Sequence, residues 1–200
     1  EDAFVIESNE GNDSICYWVK DSLVYQMDTL AIQVDYLYTD TLDQLVPKTD
    51  TLYLANKLTR EQRDKLKKQE EEKKEKERKK REKKGEAPKP EPTLFLKMNV
   101  DAPSAFDINR NVVLSFDEPL ARIDTSSIHV SVKEDTLWVE KPFILVADSV
   151  IPRRYEILAD WQPDREYQLK IDSTAITGLY GLHTDKVDQS FKVKKLDEYG

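Results

Sequence analysis

Trp161–Asp172 reads WQPDREYQLKID. A corner, Trp161-Gln-Pro163, leads into a segment in which Tyr167, Leu169 and Ile171 alternate with Gln168 and Lys170. Period-two alternation marks a strand with one dry and one wet face. Trp161, next to a proline that turns the chain, is expected to plug a core.

The same texture extends outward on both sides. Leu94, Leu96, Met98 and Val100 alternate with Phe95, Lys97 and Asn99. So do Val112, Leu114 and Phe116, then Ile128, Val130 and Val132, then Leu137 and Val139 beyond a turn at Glu134-Asp135. Tyr155 and Ile157, and finally Phe191 and Val193, complete the set. About seven short half-buried strands within about 100 residues predict an antiparallel β-sandwich of the immunoglobulin-like kind at 93–197.

Residues 1–57 alternate too, at Ile15 and Tyr17 and through Leu30, Ile32, Val34, Tyr36 and Tyr38, with Leu52 and Leu54 after them. They are too few for a whole sandwich of that size. They also echo the later segment. Phe4-Val-Ile matches Phe143-Ile-Leu, Tyr17–Asp35 matches Tyr155–Asp172, and LYLANK at Leu52–Lys57 answers SFKVKK. The offset stays between 137 and 139, and the 22 positions from Asp35 to Lys57 recur from Asp172 to Lys194. Residues 1–57 are therefore expected to be the second half of an immunoglobulin-like unit. Its first half is expected upstream of Glu1, and its apolar face should be exposed, pack on the second domain or pair with another chain.

Between these pieces, residues 58–92 are read as a charged helix and a Pro-rich linker. Arg60–Lys84 holds 14 Lys and Arg against 8 Asp and Glu, a charge of +6, and the remaining 17 minus 31 leaves −14 elsewhere. The acidic folded parts and interleaved acids exclude nucleic acid as a partner. Leu66 is the one aliphatic residue of the run, which rules out a coiled coil. Thr59 and Gln62 have capping-box spacing. Glu61–Lys65, Asp64–Lys68, Glu70–Lys74, Glu72–Lys76, Glu75–Lys79 and Glu77–Arg81 are acid-before-base pairs four apart. The run reads as a solvated salt-bridged helix, with plain disorder as the alternative, and in either case as a strap rather than a site. Pro88, Pro90 and Pro92 impose an extended exit.

Cys16 is the single cysteine, so no intramolecular disulfide forms, and with two histidines no metal site or cofactor is predicted. His129, opposite in facing to Ile128 and Val130, reads as an outward polar residue, and His183 as a loop residue. Cys16 reads as a small strand residue. Asp117-Glu118, Asp160, Asp164 and Asp172 are too common a residue type to single out an acid–base pair, so no catalytic residues are predicted. Phosphate-loop, G-x-S-x-G and calcium-loop patterns do not occur. Of Trp18, Trp138 and Trp161, Trp138 is the candidate ligand-surface residue, since it faces opposite to Leu137 and Val139. No apolar run is long enough to span a membrane, and no signal-peptide pattern opens the chain, which is expected to be a fragment or processed product.

Three motifs carry a family resemblance. NVVLSFDEPL (Asn111–Leu120) resembles the F-[SD]-E-P-[VL] strand of bacterial Ig-like domains. WQPDREYQLKID resembles their corner and following strand, and GLYGLHTD (Gly178–Asp185) resembles the loop before their last strand. The chain is similar to Ig-like lipoproteins of Bacteroidetes cell envelopes, with domains of the type known from S-layer proteins. The resemblance implies an exported, periplasmic or outer-membrane protein held by a lipid anchor upstream of this chain, Cys16 not being the anchor. It implies a non-catalytic spacer or scaffold, or alternatively an adhesin module binding protein or glycan at the cell surface.

Overall fold

The computed structural model describes residues 3–83 and 93–199. The expected extended exit at Pro88, Pro90 and Pro92 lies outside the described residues. Two compact units divide the chain, and they do not follow the linear order of the sequence. One gathers Phe4–Trp18 with the residues from Thr93 onward; the other runs from Val19 through the charged helix.

Eleven strands of the sandwich unit fall after Thr93 among the described residues. They are β5 (Met98–Asp101), β6 (Ala105–Phe106), β7 (Val112–Phe116), β8 (Leu120–Ile123), β9 (Ile128–Glu134), β10 (Leu137–Lys141), β11 (Phe143–Ala147), β12 (Arg154–Ala159), β13 (Glu166–Ile171), β14 (Ile176–Gly178) and β15 (Val187–Val193). One sheet has the order β11-β12-β7-β5 and the other β10-β9-β13-β15-β6. This is the two-layer arrangement of an immunoglobulin-like sandwich. All pairings are antiparallel except β15 with β6, which run parallel. β8 and β14 form a separate small antiparallel pair.

Alternation explains the core. Val112, Leu114 and Phe116 of β7 and Ile157 of β12 bury against Ile128, Val130 and Val132 of β9 and Tyr167, Leu169 and Ile171 of β13. Val113 is buried too, although Ser115 on the same face of β7 is only half-buried. Leu96 is buried, but β5 begins only at Met98, so the alternation read from Leu94 outruns the strand by four residues.

The corner before β13 is fixed by one hydroxyl. Tyr167 Oη donates to the Asp160 carbonyl at 3.0 Å and accepts from the Gln162 N–H at 2.8 Å. Trp161 fills the space behind it, with its ring centroid 5.0 Å from Tyr167 and 5.5 Å from both Phe106 and Phe191. Tyr and Trp suit this place because each buries an apolar body.

The same unit includes the hairpin of β1 (Phe4–Ser8) and β2 (Ile15–Val19). An ion pair fastens it, Glu7 Oε2 lying 3.1 Å from Arg153 Nε. The Arg153 guanidinium also lies 5.1 Å from the Trp18 ring and donates to the Asp117 carbonyl, while Trp18 Nε1 donates to Glu7.

The other unit holds a short α1 (Ser22–Gln26), the two-stranded ribbon of β3 (Thr29–Thr39) and β4 (Leu45–Ala55), and α2 (Arg60–Lys83). The Thr59–Gln62 capping box forms in both directions, at 3.1 and 3.4 Å. Arg63 anchors the first turn of α2 through the Tyr25 and Gln26 carbonyls and the Asp28 carboxylate. From Asp64 to Lys80 every residue of α2 is exposed. Glu70–Lys74 and Glu75–Lys79 close at 3.6 and 2.7 Å.

Candidate functional site

Trp138 stands on β10, the outer strand of the five-stranded sheet, directly across from Lys133 of β9. Its side is the solvent face of the sheet, and it remains 38% exposed. Lys133 Nζ lies 5.7 Å from the ring centroid and 2.7 Å from Glu166 Oε2. The ring is therefore held by a cation that is itself held by a carboxylate. Such a flat, amphipathic surface can stack on the apolar face of a sugar or on a partner side chain, while Lys133 and Glu166 supply polar contacts at its rim.

Leu137 and Val139 flank Trp138 but are themselves exposed, because β10 is an edge strand. Facing alone thus does not single out Trp138. What distinguishes it is the cross-strand cation.

The remaining candidates are dispersed. His129, on the same solvent face, has Nδ1 2.9 Å from Glu140 Oε1. His183 meets the Thr177 hydroxyl at 3.0 Å, in the loop whose backbone also accepts the Leu96 N–H. Cys16 is exposed on β2. Among the described residues no cluster of His, Cys, Asp or Glu is arranged to hold a metal ion.

The carboxylates have separate partners. Asp164 lies 2.7 Å from Lys192, and a hydrogen bond from that ammonium holds its carboxyl below the ordinary carboxylate range. Lys194 does the same for Asp107. Asp117 faces Lys97 at 3.6 Å. Asp160 contributes its carbonyl to the tyrosine corner.

Glu118 differs from all of these, being buried. Its Oε1 accepts the Tyr180 N–H at 3.2 Å, and Leu179 N–H donates to the Pro119 carbonyl at 2.8 Å. A Cβ on Gly178 would come 1.9 Å from Glu118 Oε1. The F-D-E-P strand and the Gly-containing loop, separate motifs in the sequence, are thus two halves of one lock. The lock has the character of a structural device, since its buried carboxylate accepts a backbone N–H and lies against Gly178.

A shallow groove of about 510 Å³ lies over β5 and β7, lined by Asn99, Asp101, Arg110, Ser115, Ile151 and Arg154 among others. Arg110 is paired with Asp101, and Arg154 with Asp148 and Glu156. Its cations are therefore already compensated by protein carboxylates.

Neither a family model nor a curated protein sequence matches the chain.

Proposed function

We propose that this chain is a non-catalytic structural or interaction module of an exported bacterial cell-envelope protein, in which α2 acts as a spacer. The observation that carries this reading is the solvation of α2. A helix of 24 residues is about 36 Å long. With every side chain from Asp64 to Lys80 exposed, this one has no face with which to pack. Acid–base pairs four apart stiffen such a helix without a core. The Ig-like sandwich and the resemblance of its three motifs to envelope Ig-like domains support the cellular setting, which includes a lipid anchor upstream.

A spacer can be shortened without harm to what it separates. Deleting seven residues, 67–73, removes about two turns and about 10 Å of reach. The melting of the sandwich is expected to be unchanged. A clear fall in its melting temperature would show that α2 is a packing element and would overturn the reading.

Trp138 favours a second reading, an adhesin module for glycan or protein. A glycan array followed by tryptophan-fluorescence titration tests it. Binding that disappears in Trp138→Ala, with melting retained, is the expected result for that reading. Binding unaffected by the substitution, or no binding across the array, removes Trp138 as the contact.

A further inference from the structure

The β3–β4 ribbon repeats the pairing of β13 with β15, residue for residue. Adding 137 to each number turns Thr29–Ala55 into Glu166–Lys192, Leu30–Leu54 into Tyr167–Phe191, and Val34–Asp50 into Ile171–Val187. The hydrogen-bonding phase matches as well. In the ribbon Asn56 N–H donates to the Asp28 carbonyl and Asp40 N–H to Gln44, so even-numbered residues of β3 point their backbone groups at β4. In the sandwich Val193 N–H donates to the Arg165 carbonyl, placing Tyr167, Leu169 and Ile171 in the equivalent phase.

The side chains follow the same correspondence. Leu30, Ile32 and Val34 fall on the positions of Tyr167, Leu169 and Ile171, all three of which are core, but are themselves only half-buried. Leu54 falls on the position of Phe191, which is 2% exposed, yet Leu54 is 50% exposed. The ribbon therefore presents the inner face of a sandwich sheet.

Its two outer edges differ. On β4 the outward backbone groups belong to odd-numbered residues, including Pro47, which has no N–H to donate. That edge is blunted. On β3 the outward N–H groups are those of Ala31, Gln33 and Asp35, and among the described residues β3 pairs with no strand but β4. The corresponding residues of the sandwich, Gln168, Lys170 and Asp172, face β9: Gln168 lies opposite Ser131, Lys170 opposite His129, and Asp172 N–H donates to the Ser127 carbonyl.

We infer that the outer edge of β3 is an acceptor for an extended strand of the β9 type, with apolar residues at alternate positions, added antiparallel by a partner protein. The chemistry of the occupant is set by what β9 does in the equivalent place. It offers backbone bonds to the odd-numbered amides of β3, and its apolar side chains at alternate positions stand beside Leu30, Ile32 and Val34 and extend their face, as Ile128, Val130 and Val132 extend that of β13. The inference deepens the interaction reading and rests on it, but it uses a different surface from Trp138 and a different element from α2.

The test is amide hydrogen exchange on the full chain, followed by NMR, with and without a synthetic peptide of the sequence of residues 126–136. With the peptide near millimolar concentration, the amides of Ala31, Gln33 and Asp35 are expected to slow by about tenfold. Gln33→Pro should abolish that protection. The amides of Leu30, Ile32 and Val34 report in the same spectra that the ribbon itself persists. No added protection at Ala31, Gln33 and Asp35 overturns the inference. So does protection of these amides that rises with protein concentration alone, because the occupant would then be a second copy. The readout is confined to β3, so its failure is distinguishable from failure of the module reading, which the α2 deletion and the Trp138 titration measure independently.

Discussion

Replacing Tyr167 by Phe removes one oxygen atom, but that oxygen serves two backbone groups at the corner. The Asp160 carbonyl loses its donor, and the Gln162 N–H loses its acceptor in a half-buried place. The expected cost is about 1–3 kcal/mol. Urea unfolding of Tyr167→Phe should show a lower midpoint with an unchanged slope. Gly178→Ala acts through space rather than dihedral freedom. The new Cβ meets Glu118, which must leave its buried seat and release Tyr180 N–H. Destabilisation of about 1–3 kcal/mol is expected, with partial recovery in Gly178→Ala/Glu118→Ala, where nothing is left to collide. Additive costs in that double-mutant cycle would contradict the lock. The sequence displays both motifs, but a contact across about 60 positions has no local signature. Tyr167 and Trp161 are legible because alternation and the neighbouring proline give their facing directly.

The strands β7, β9, β12, β13 and β3 can be read from period two, whereas β11, five residues and apolar throughout, shows no such period. The pieces β6, β8 and β14 have two to four residues, too few to display a period; β6 forms against the longer β15, and β8 and β14 form against each other. Residues 1–57 read as one unit in the sequence, whereas the β1–β2 hairpin belongs with the sandwich. The fastening, Glu7 to Arg153 with Trp18 beside it, joins residues far apart in the chain, and Arg153 adopts a left-handed backbone at φ 61° to make it. That conformation is uncommon for a bulky side chain and is held by its surroundings. Arg153→Gly relieves the backbone but deletes the guanidinium. Faster hydrogen exchange is expected in the β1–β2 hairpin, with β9 and β13 unaltered. Unchanged exchange in the hairpin would show that the ion pair is not what fastens it.

At the scale of the whole molecule, electrostatics predicts an acid-sensitive fold. Asp107 and Asp164 have carboxyls held below their ordinary value of 3.8, first by hydrogen bonds from Lys194 and Lys192. A depressed folded-state pKa stabilises above the unfolded pKa and is lost as pH falls through the folded value. The melting temperature should therefore decline below about pH 4 and stay level through neutral pH. Because these pairs are exposed, each contributes little. Asp107→Asn with Asp164→Asn should make the acid limb slightly shallower without removing it, since Asp124 and Asp148 are lowered as well; an unaltered limb would place the titration elsewhere. The sequence motifs of the sandwich are the corner, the F-D-E-P strand and the Gly-containing loop. Each has a mechanical role in the sandwich: Tyr167 ties the corner, and Glu118 locks the strand to the loop.

A spacer requires that α2 keep its length in water with nothing packed on it. Spin labels at Asp64→Cys and Lys80→Cys, in a chain carrying Cys16→Ser, sit 16 residues apart on exposed positions of that helix. Pulsed electron–electron resonance is expected to give a single narrow distribution for a backbone separation of about 24 Å. A broad distribution, or a centre displaced by more than a helical turn, would contradict a rod and with it the proposed function.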